Sequence, residues 1–590
     1  MPTAILTGPP VAGSTLESDL RSLGFTVRTA AAPADVAALL TAVPARERAA
    51  VVDHRFTGHL HSLRLGLTDP RFPAAAVPGA VTAQPAARAA LADAARGTPA
   101  PDELAAALEA GGTAVHRPEL GVLVAAVPRD AQALDAARAA TAAVDEEDVR
   151  LRSAVKSRDG FFTTFFISPY SRYVARWCAR RGLTPNHVTT ASLLVALVAA
   201  GCAAAGTRAS FVAAGVLLLA SFVLDCADGQ LARYALRYST LGAWLDATFD
   251  RAKEYAFYAG LALGAARGGD DVWALALGAM VVQTVRHVVD FSFAEADRYE
   301  DGAGAGAGPT AALSGRLDGV GWTVWARRMV VLPIGERWAL IAVLTALTTP
   351  RTTFLVLLAG CLLAACYTTA GRVLRSVARR GRRTAGAARA LADLADGGPL
   401  AELAARAAPP LRGLAPVLAG VGAVAVPATA LWSPAGGWLP VWAAAGYALL
   451  SGWALARPLT GRLDWLVPPL FRAAEYGTVL ALAAVSEVNG ALPAAFCLVA
   501  AVAYHHYDTV YRIRGGSGAP PRPLVRAAGG QEGRTLLVAV AAALWSGGPR
   551  LPAALSVLAG IVALVVLAES IRFWVSAAAP AVHDETGVPA

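Results

Sequence analysis

Residues 225–250 read DCADGQLARYALRYSTLGAWLDATFD and place four aspartates, Asp225, Asp228, Asp246 and Asp250, between runs apolar enough to span a bilayer. An ionisable side chain at that depth is costly and is retained where it binds or moves something. On helices, Asp225 and Asp228 stand at i,i+3 and Asp246 and Asp250 at i,i+4, so each pair projects from one helix face. Two antiparallel helices joined by the intervening turn would aim both pairs at one point. Carboxylate oxygens in that number suit a hard divalent cation such as Mg²⁺, which commonly bridges substrate phosphates and whose charge offsets the repulsion among the acids. Two ions also fit. Gly229, Ala232 and Gly242 leave the backbone open to close approach, and the guanidinium of Arg233 can pair with a phosphate. The bland counterpart is a polar-lined cavity or an ion pathway.

In full the pattern is Asp225-x2-Asp228-Gly229-x2-Ala232-Arg233-x8-Gly242-x3-Asp246-x3-Asp250. It resembles the signature of the CDP-alcohol phosphotransferases, integral membrane enzymes that move a phosphoalcohol from a CDP-alcohol to an acceptor hydroxyl and release CMP. The resemblance implies Asp225, Asp228 and Asp246 as metal ligands and Asp250 as a further ligand or the general base for the acceptor hydroxyl. It also implies Gly229, Ala232, Arg233 and Gly242 at the cytidine diphosphate, and Mg²⁺ or Mn²⁺, as two ions, for the cofactor. Transfer of this kind needs positioning and charge neutralisation more than covalent catalysis, which metals beside a spare carboxylate supply.

Upstream, EEDVRLRSAVKSRDGFF, Ser168-Pro169-Tyr170-Ser171-Arg172 and Leu183-Thr184-Pro185-Asn186 resemble the start of the transferase domain in inositol-phosphate-using members. There the Thr-Pro-Asn tripeptide borders the nucleotide, which implies a CDP-binding role for Pro185 and Asn186. An arginine opening the fifth span helps hold the acceptor's phosphate in those members, which implies Arg337, with Arg286 on the fourth span, as acceptor-binding residues. A headgroup anchor is the ordinary reading of an arginine in the position of Arg337. The expected donor is a CDP-alcohol such as CDP-diacylglycerol, and the expected acceptor a polyol or polyol phosphate such as inositol phosphate. A non-enzymatic membrane scaffold or transporter with a vestigial transferase unit is the alternative from another class.

Composition agrees with a membrane protein joined to something soluble: 55% of residues are hydrophobic, only 16% are charged, and the mean hydropathy is +0.47. The net charge of +9 does not point to nucleic acid, because the arginines gather at the ends of apolar runs, where positive-inside topology and anionic lipids account for them. Lysine occurs only at Lys156 and Lys253. The arginine and alanine bias suggests a bacterial chain, expected in the plasma membrane. Met1 to Val11 lacks the basic start and apolar core of a signal peptide, so the N-terminal domain is expected in the cytoplasm. The six cysteines lack metal-type spacing and read as reduced packing residues.

Four segments follow from the pattern. Residues 1–145 alternate β-like runs (TAILTG, FTVRTA, AAVVDH, GVLVAAVP) with helical stretches such as PDELAAALEAGG, the mark of an α/β fold with a largely parallel sheet. The domain's place resembles the cytidylyltransferase fused ahead of some inositol-phosphate enzymes. The glycine-rich loop with its arginine and lysine is missing, so a degenerate domain is expected. Asp53-His54 is either a remnant metal position or a capped loop. Residues 146–375 form the transferase membrane domain, with an amphipathic interfacial helix near 170–181 and six spans near 187–206, 209–227, 240–266, 271–292, 335–349 and 352–372. A flexible linker is expected at 301–309, and Arg298, Arg316, Arg327 and Arg328 mark a cytoplasmic loop. Residues 376–412 are a cytoplasmic helical linker.

Residues 413–590 hold six more apolar runs. Arg251-Ala252-Lys253-Glu254-Tyr255 is echoed by Arg472-Ala473-Ala474-Glu475-Tyr476, Arg286 to Asp290 by Tyr504 to Asp508, and Glu336-Arg337 by Glu532-Gly533-Arg534. A repeated six-helix unit is a familiar membrane architecture. The expected architecture is therefore a multi-pass α-helical membrane protein: a six-helix transferase unit, a second six-helix unit derived from it without the aspartates, and the α/β domain in front. The copy would pack where a homodimer partner packs in the family, giving a homodimer or an internal pseudo-dimer. His505, His506, Asp508, Tyr511, Arg512 and Arg514 read as a basic anchoring end or a headgroup or ion site.

Overall fold

The computed structural model describes residues 2–9, 11, 13–156, 159–298, 329–378, 382–410 and 413–576. The 301–309 linker and Arg316, Arg327 and Arg328 lie outside them. In the N-terminal domain a six-stranded sheet runs Thr26–Thr29, Thr3–Thr7, Ala49–Asp53, Ala80–Ala83, Ala74–Val77, Val115–His116. The first three strands are parallel, but Ala80–Ala83 pairs antiparallel with both neighbours, so the sheet is mixed. The hairpin turns at Gly79, whose φ of +77° suits glycine. Its strands, AAAV and AVTA, are too alanine-rich to announce themselves. GVLVAAVP yields only Ala125–Ala126, in a two-stranded ribbon with Thr57–Gly58, while PDELAAALEA is helical as its pattern requires.

The membrane unit opens with the amphipathic helix Ser168–Arg180, which exposes Tyr170, Tyr173 and Trp177, aromatic side chains suited to a bilayer interface. Six helices follow: Pro185–Ala205, Arg208–Ala235, Thr240–Arg267, Trp273–Arg298, Ile334–Leu347 and Pro350–Ala378. Local chemistry sets their ends. Thr184 and Thr207 each cap a helix through a reciprocal capping box, Pro185 takes the first helical position, and Ser239 caps the helix that carries Asp246 and Asp250. Gly260 and Gly264 let Thr240–Arg267 lie against Pro185–Ala205: an added Cβ would stand 2.4 Å from the Ala200 carbonyl oxygen and 2.0 Å from that of Ala203. Small residues at a crossing are how membrane helices approach closely.

Beyond the short helices Ala385–Leu394 and Pro399–Arg406 come Ala415–Trp432, Leu439–Leu455, Val467–Val485, Ala491–Arg514, Gly530–Trp545 and Arg550–Ser576. Packing neighbours recur in the two series. The first helix packs on the second and third, the second on the fifth, the fourth on the sixth, the third on the fourth and the fifth on the sixth, in both. Between the series, Trp273–Arg298 packs on Val467–Val485 and Ala491–Arg514, and Thr240–Arg267 packs on Ala491–Arg514. Trp244 stacks on Trp574 with ring centroids 6.2 Å apart, and His287 Nδ1 hydrogen-bonds the Tyr507 hydroxyl across the same boundary.

Six helices among the described residues are long and apolar enough to cross a membrane: Pro185–Ala205, Arg208–Ala235, Trp273–Arg298, Pro350–Ala378, Ala415–Trp432 and Arg550–Ser576. The chain is therefore a multi-pass membrane protein. The other expected spans are helical but depart from that pattern for physical reasons. Thr240–Arg267 carries Asp246, Asp250, Arg251, Lys253 and Glu254. Ile334–Leu347, at 14 residues, covers about 21 Å at 1.5 Å per residue, short of a hydrocarbon core of roughly 30 Å.

Candidate active site

The second and third membrane helices bring the aspartates together. Carboxylate oxygens of Asp225, Asp228 and Asp246 all lie within 4.8 Å of one another. Asp228 is buried and accepts a hydrogen bond from Thr189 Oγ1 at 2.6 Å, so a residue of the first helix orients it. Asp250 stands outside the trio, with its Oδ1 3.0 Å from Lys253 Nζ. The same ammonium donates to Asp225 Oδ1 and, at 3.2 Å, to Ser192 Oγ.

Lys253 is fully buried. Its ammonium pairs with two of the four carboxylates, those of Asp225 and Asp250. Three convergent carboxylates are a donor set for a hard divalent cation. Asp225, Asp228 and Asp246 are the residues that would hold it.

The residues expected at the nucleotide lie on the two helices that carry the trio, or in the first turn of the helix before them. A Cβ on Gly242 would stand 2.7 Å from Asn186 Oδ1 and 2.8 Å from Ser239 Oγ, so glycine is what lets Asn186 approach the start of the third helix. Pro185 sits in the first turn beside it. Gly229 faces the Arg233 guanidinium, with Nη1 3.6 Å from where a Cβ would be. Arg233 Nε donates to the Ala154 carbonyl at 2.5 Å, tying the segment that precedes the interfacial helix to the second span. Ala232 is on the same turn, half-buried.

Arg337, expected as a headgroup anchor or at the acceptor's phosphate, is buried and paired inside the protein. It is 2% exposed, with Nε 3.0 Å from Glu254 Oε1 and Nη2 donating to Oε2 at 3.1 Å. Glu254 also pairs with Arg251 Nη1 at 2.9 Å and accepts from the Tyr258 hydroxyl at 2.7 Å. Arg286 presents more: Nη2 donates to the Val331 carbonyl, while Nε and Nη1 are buried without a partner. Among the described residues it forms no salt bridge with a carboxylate, so an anion is the natural complement of its two open nitrogens.

Residues 182–365 match the family model for CDP-alcohol phosphatidyltransferase. This segment is a CDP-alcohol phosphatidyltransferase domain. The phosphatidyltransferase segment contains every residue of the aspartate signature. Among curated relatives, the phosphatidylinositol phosphate synthase of Streptomyces avermitilis is 35% identical over 131 residues, covering 21% of this chain and 51% of that protein. The archaetidylinositol phosphate synthase of Pyrococcus horikoshii is 30% identical over 113 residues, 19% of this chain and 58% of its own length. The bifunctional IPC transferase and DIPP synthase of Thermococcus kodakarensis is 35% identical over 113 residues, 19% of this chain and 25% of its own. The chain thus spans about half the length of the first two and a quarter of the third. Residues 385–590 match a family of unknown function, DUF5941.

Three residues in and beside the aspartate site escaped sequence reasoning: Lys253, Glu254 and Thr189. Lys253 left one signal, being one of two lysines in the chain and standing i,i+3 from Asp250. Thr189 left none, because only the helix crossing brings it to Asp228. In the N-terminal domain Asp53 pairs with Arg55, Oδ2 to Nη2 at 2.7 Å, and accepts the Arg55 backbone N–H at 2.9 Å, which is the capped loop rather than the metal position. The His505 group is a correction as well. His505, His506, Asp508 and Arg512 are almost wholly buried, and Asp508 accepts from Arg512, Ser570 and Trp574 at 2.7–2.8 Å. Charges paired in this way belong to the interior, not to a membrane-facing anchor.

Proposed function

We propose that the protein transfers a phosphatidyl group from a CDP-alcohol such as CDP-diacylglycerol to a hydroxyl of a polyol phosphate such as inositol phosphate, releasing CMP, in phospholipid synthesis. The observation that carries the reading is the convergence of Asp225, Asp228 and Asp246 within 4.8 Å on two crossing helices. A relative named phosphatidylinositol phosphate synthase supports the phosphorylated acceptor. Bound Mg²⁺ or Mn²⁺, as one or two ions, would neutralise the diphosphate and the charge that develops on the leaving CMP. Gly229, Ala232, Arg233, Gly242, Pro185 and Asn186 line the nucleotide side. Arg286 holds the acceptor's phosphate through its open N–H groups, and Arg337 would have to release Glu254 in part to join it. Asp250, positioned by Lys253, takes the proton of the attacking hydroxyl; the new O–P bond forms as the P–O bond to CMP breaks.

The aspartate site is read as facing the cytoplasm of a bacterial plasma membrane, with the degenerate α/β domain beside it. The C-terminal half is read as a diverged, non-catalytic copy of the transferase unit, giving an internal pseudo-dimer. The recurrent packing order supports it, as do the ion pairs. Glu254 binds Arg251 and Arg337, and Glu475 binds Arg472 Nη1 at 2.6 Å and Arg534 Nε at 2.6 Å. Purified protein incubated with labelled CDP-diacylglycerol, Mg²⁺ and a panel of acceptors tests the activity. CMP release that depends on inositol phosphate is the expected result, and no CMP release with any polyol or polyol phosphate would reject it in favour of a vestigial unit.

A further inference from the structure

The second helical series contains a cluster of buried basic side chains that the phosphatidyl transfer does not use. Arg472 and Arg534 are 0% and 1% exposed and His505 is 1% exposed, and all three face one carboxylate, that of Asp396. Asp396 Oδ2 lies 2.9 Å from Arg472 Nη2 and 2.7 Å from Arg534 Nη2, and Oδ1 lies 3.3 Å from His505 Nε2. Asp396 does not belong to the helices that carry those side chains. It sits just past the end of Ala385–Leu394, in the linker between the two series.

Its backbone is bent to deliver it. Asp396 has φ +52°, a left-handed conformation that non-glycine residues adopt at a cost and that persists where surrounding contacts impose it. The turn is clamped on both sides. The Asp396 carbonyl accepts the Gln531 N–H at 3.2 Å, the Gly398 N–H donates to Glu532 Oε2 at 3.1 Å, and a Cβ on Gly398 would stand 2.5 Å from the Gly529 carbonyl oxygen. Burial would raise the carboxyl, but Arg534, Arg472 and His505 outweigh it and hold Asp396 well below the usual carboxylate range.

The first series shows the same frame without this filling. Glu254 joins Arg251 and Arg337 as Glu475 joins Arg472 and Arg534, yet among the described residues no second carboxylate pairs with Arg337 or Arg286. We infer that Asp396 is a built-in anion that occupies a phosphate-type site formed by Arg472, Arg534 and His505, closing the second half to outside ligands. The inference rests on this cluster and its likeness to the ion-pair frame of the first series, and stands whether or not the first half is a transferase.

The test uses the full chain in detergent and inorganic phosphate as probe, with chloride at matched ionic strength as reference. Asp396→Gly removes the carboxylate and suits the backbone at φ +52°. Calorimetric titration should give the variant one more phosphate equivalent than the wild type. The phosphate-induced rise in its Tm should be at least twice that of the wild type, and Asp396→Gly/Arg472→Gln should lose both gains. A variant recovered folded only when phosphate is present throughout purification is the same result in stronger form. Equal stoichiometry and equal Tm gain in wild type and Asp396→Gly, or a misfolded variant that phosphate does not rescue, would overturn the inference.

Discussion

Lys253 Nζ lies 3.0 Å from Asp250 Oδ1 and also binds Asp225, so the one lysine of the membrane helices is embedded in the aspartate cluster. It supplies positive charge that keeps the cluster together before any ion arrives. Lys253→Met should therefore make folding depend on divalent cation. Without metal the loss is expected to be about 3–5 kcal/mol, the usual cost of stripping one partner from a buried pair. Thermal unfolding with and without EDTA checks this. An EDTA effect no larger than that of the wild type would show that Lys253 does not carry that charge.

Asp225→Asn or Asp246→Asn should abolish CMP release while leaving the protein folded, because each removes a charged donor from a set of three. EDTA should silence the wild type to the same degree, and Mg²⁺ or Mn²⁺ should restore it. Retention of more than about a tenth of the rate, set against the many orders of magnitude that enzymes supply, would argue against these carboxylates as ligands.

The two ion-pair frames should separate stability from turnover. Glu475→Gln leaves Arg472 and Arg534 buried with Asp396 alone and should cost about 3 kcal/mol or more, with kcat and KM of the surviving enzyme unchanged. Arg286→Gln should instead raise KM for the phosphorylated acceptor by about tenfold to a hundredfold, the loss of a charge-assisted hydrogen bond of roughly 1.5–3 kcal/mol. If the second half fills the place of a partner subunit, the chain should sediment as a monomer in mild detergent. A homodimer joined through the first half would contradict that.

The N-terminal domain touches the transferase unit at the turn between the aspartate helices: the Arg71 guanidinium lies 4.1 Å from the Tyr238 ring centroid. Every residue assigned to chemistry lies outside it. Deleting residues 1–145 should leave CMP release measurable, and CTP with a phosphoalcohol should give no pyrophosphate with the full chain. Robust pyrophosphate release would restore this domain as an active nucleotidyltransferase.

The aspartates were legible in sequence because a charged residue inside an apolar run is costly, and because helical spacing converts i,i+3 and i,i+4 directly into a shared face. Helix positions followed from the same apolar runs, together with threonine caps and prolines that act within a single turn. The alanine strands 74–77 and 80–83 were not legible, since alanine carries no β signal and only pairing with each other, with Ala49–Asp53 on one side and with Val115–His116 on the other makes them strands. Nor was the division of labour among the charges. Arg337 and Arg286 are both arginines of apolar helices in sequence, yet one is committed to Glu254, 83 positions away, and the other keeps two open side-chain nitrogens. His505 and Arg512 read as a basic end until helix packing buried them against Asp396, Asp508 and Glu569. A sequence can state that a charge exists and which face it takes. Which opposite charge it meets, and whether any N–H is left over for a ligand, depends on long-range packing, and tertiary structure alone decides it.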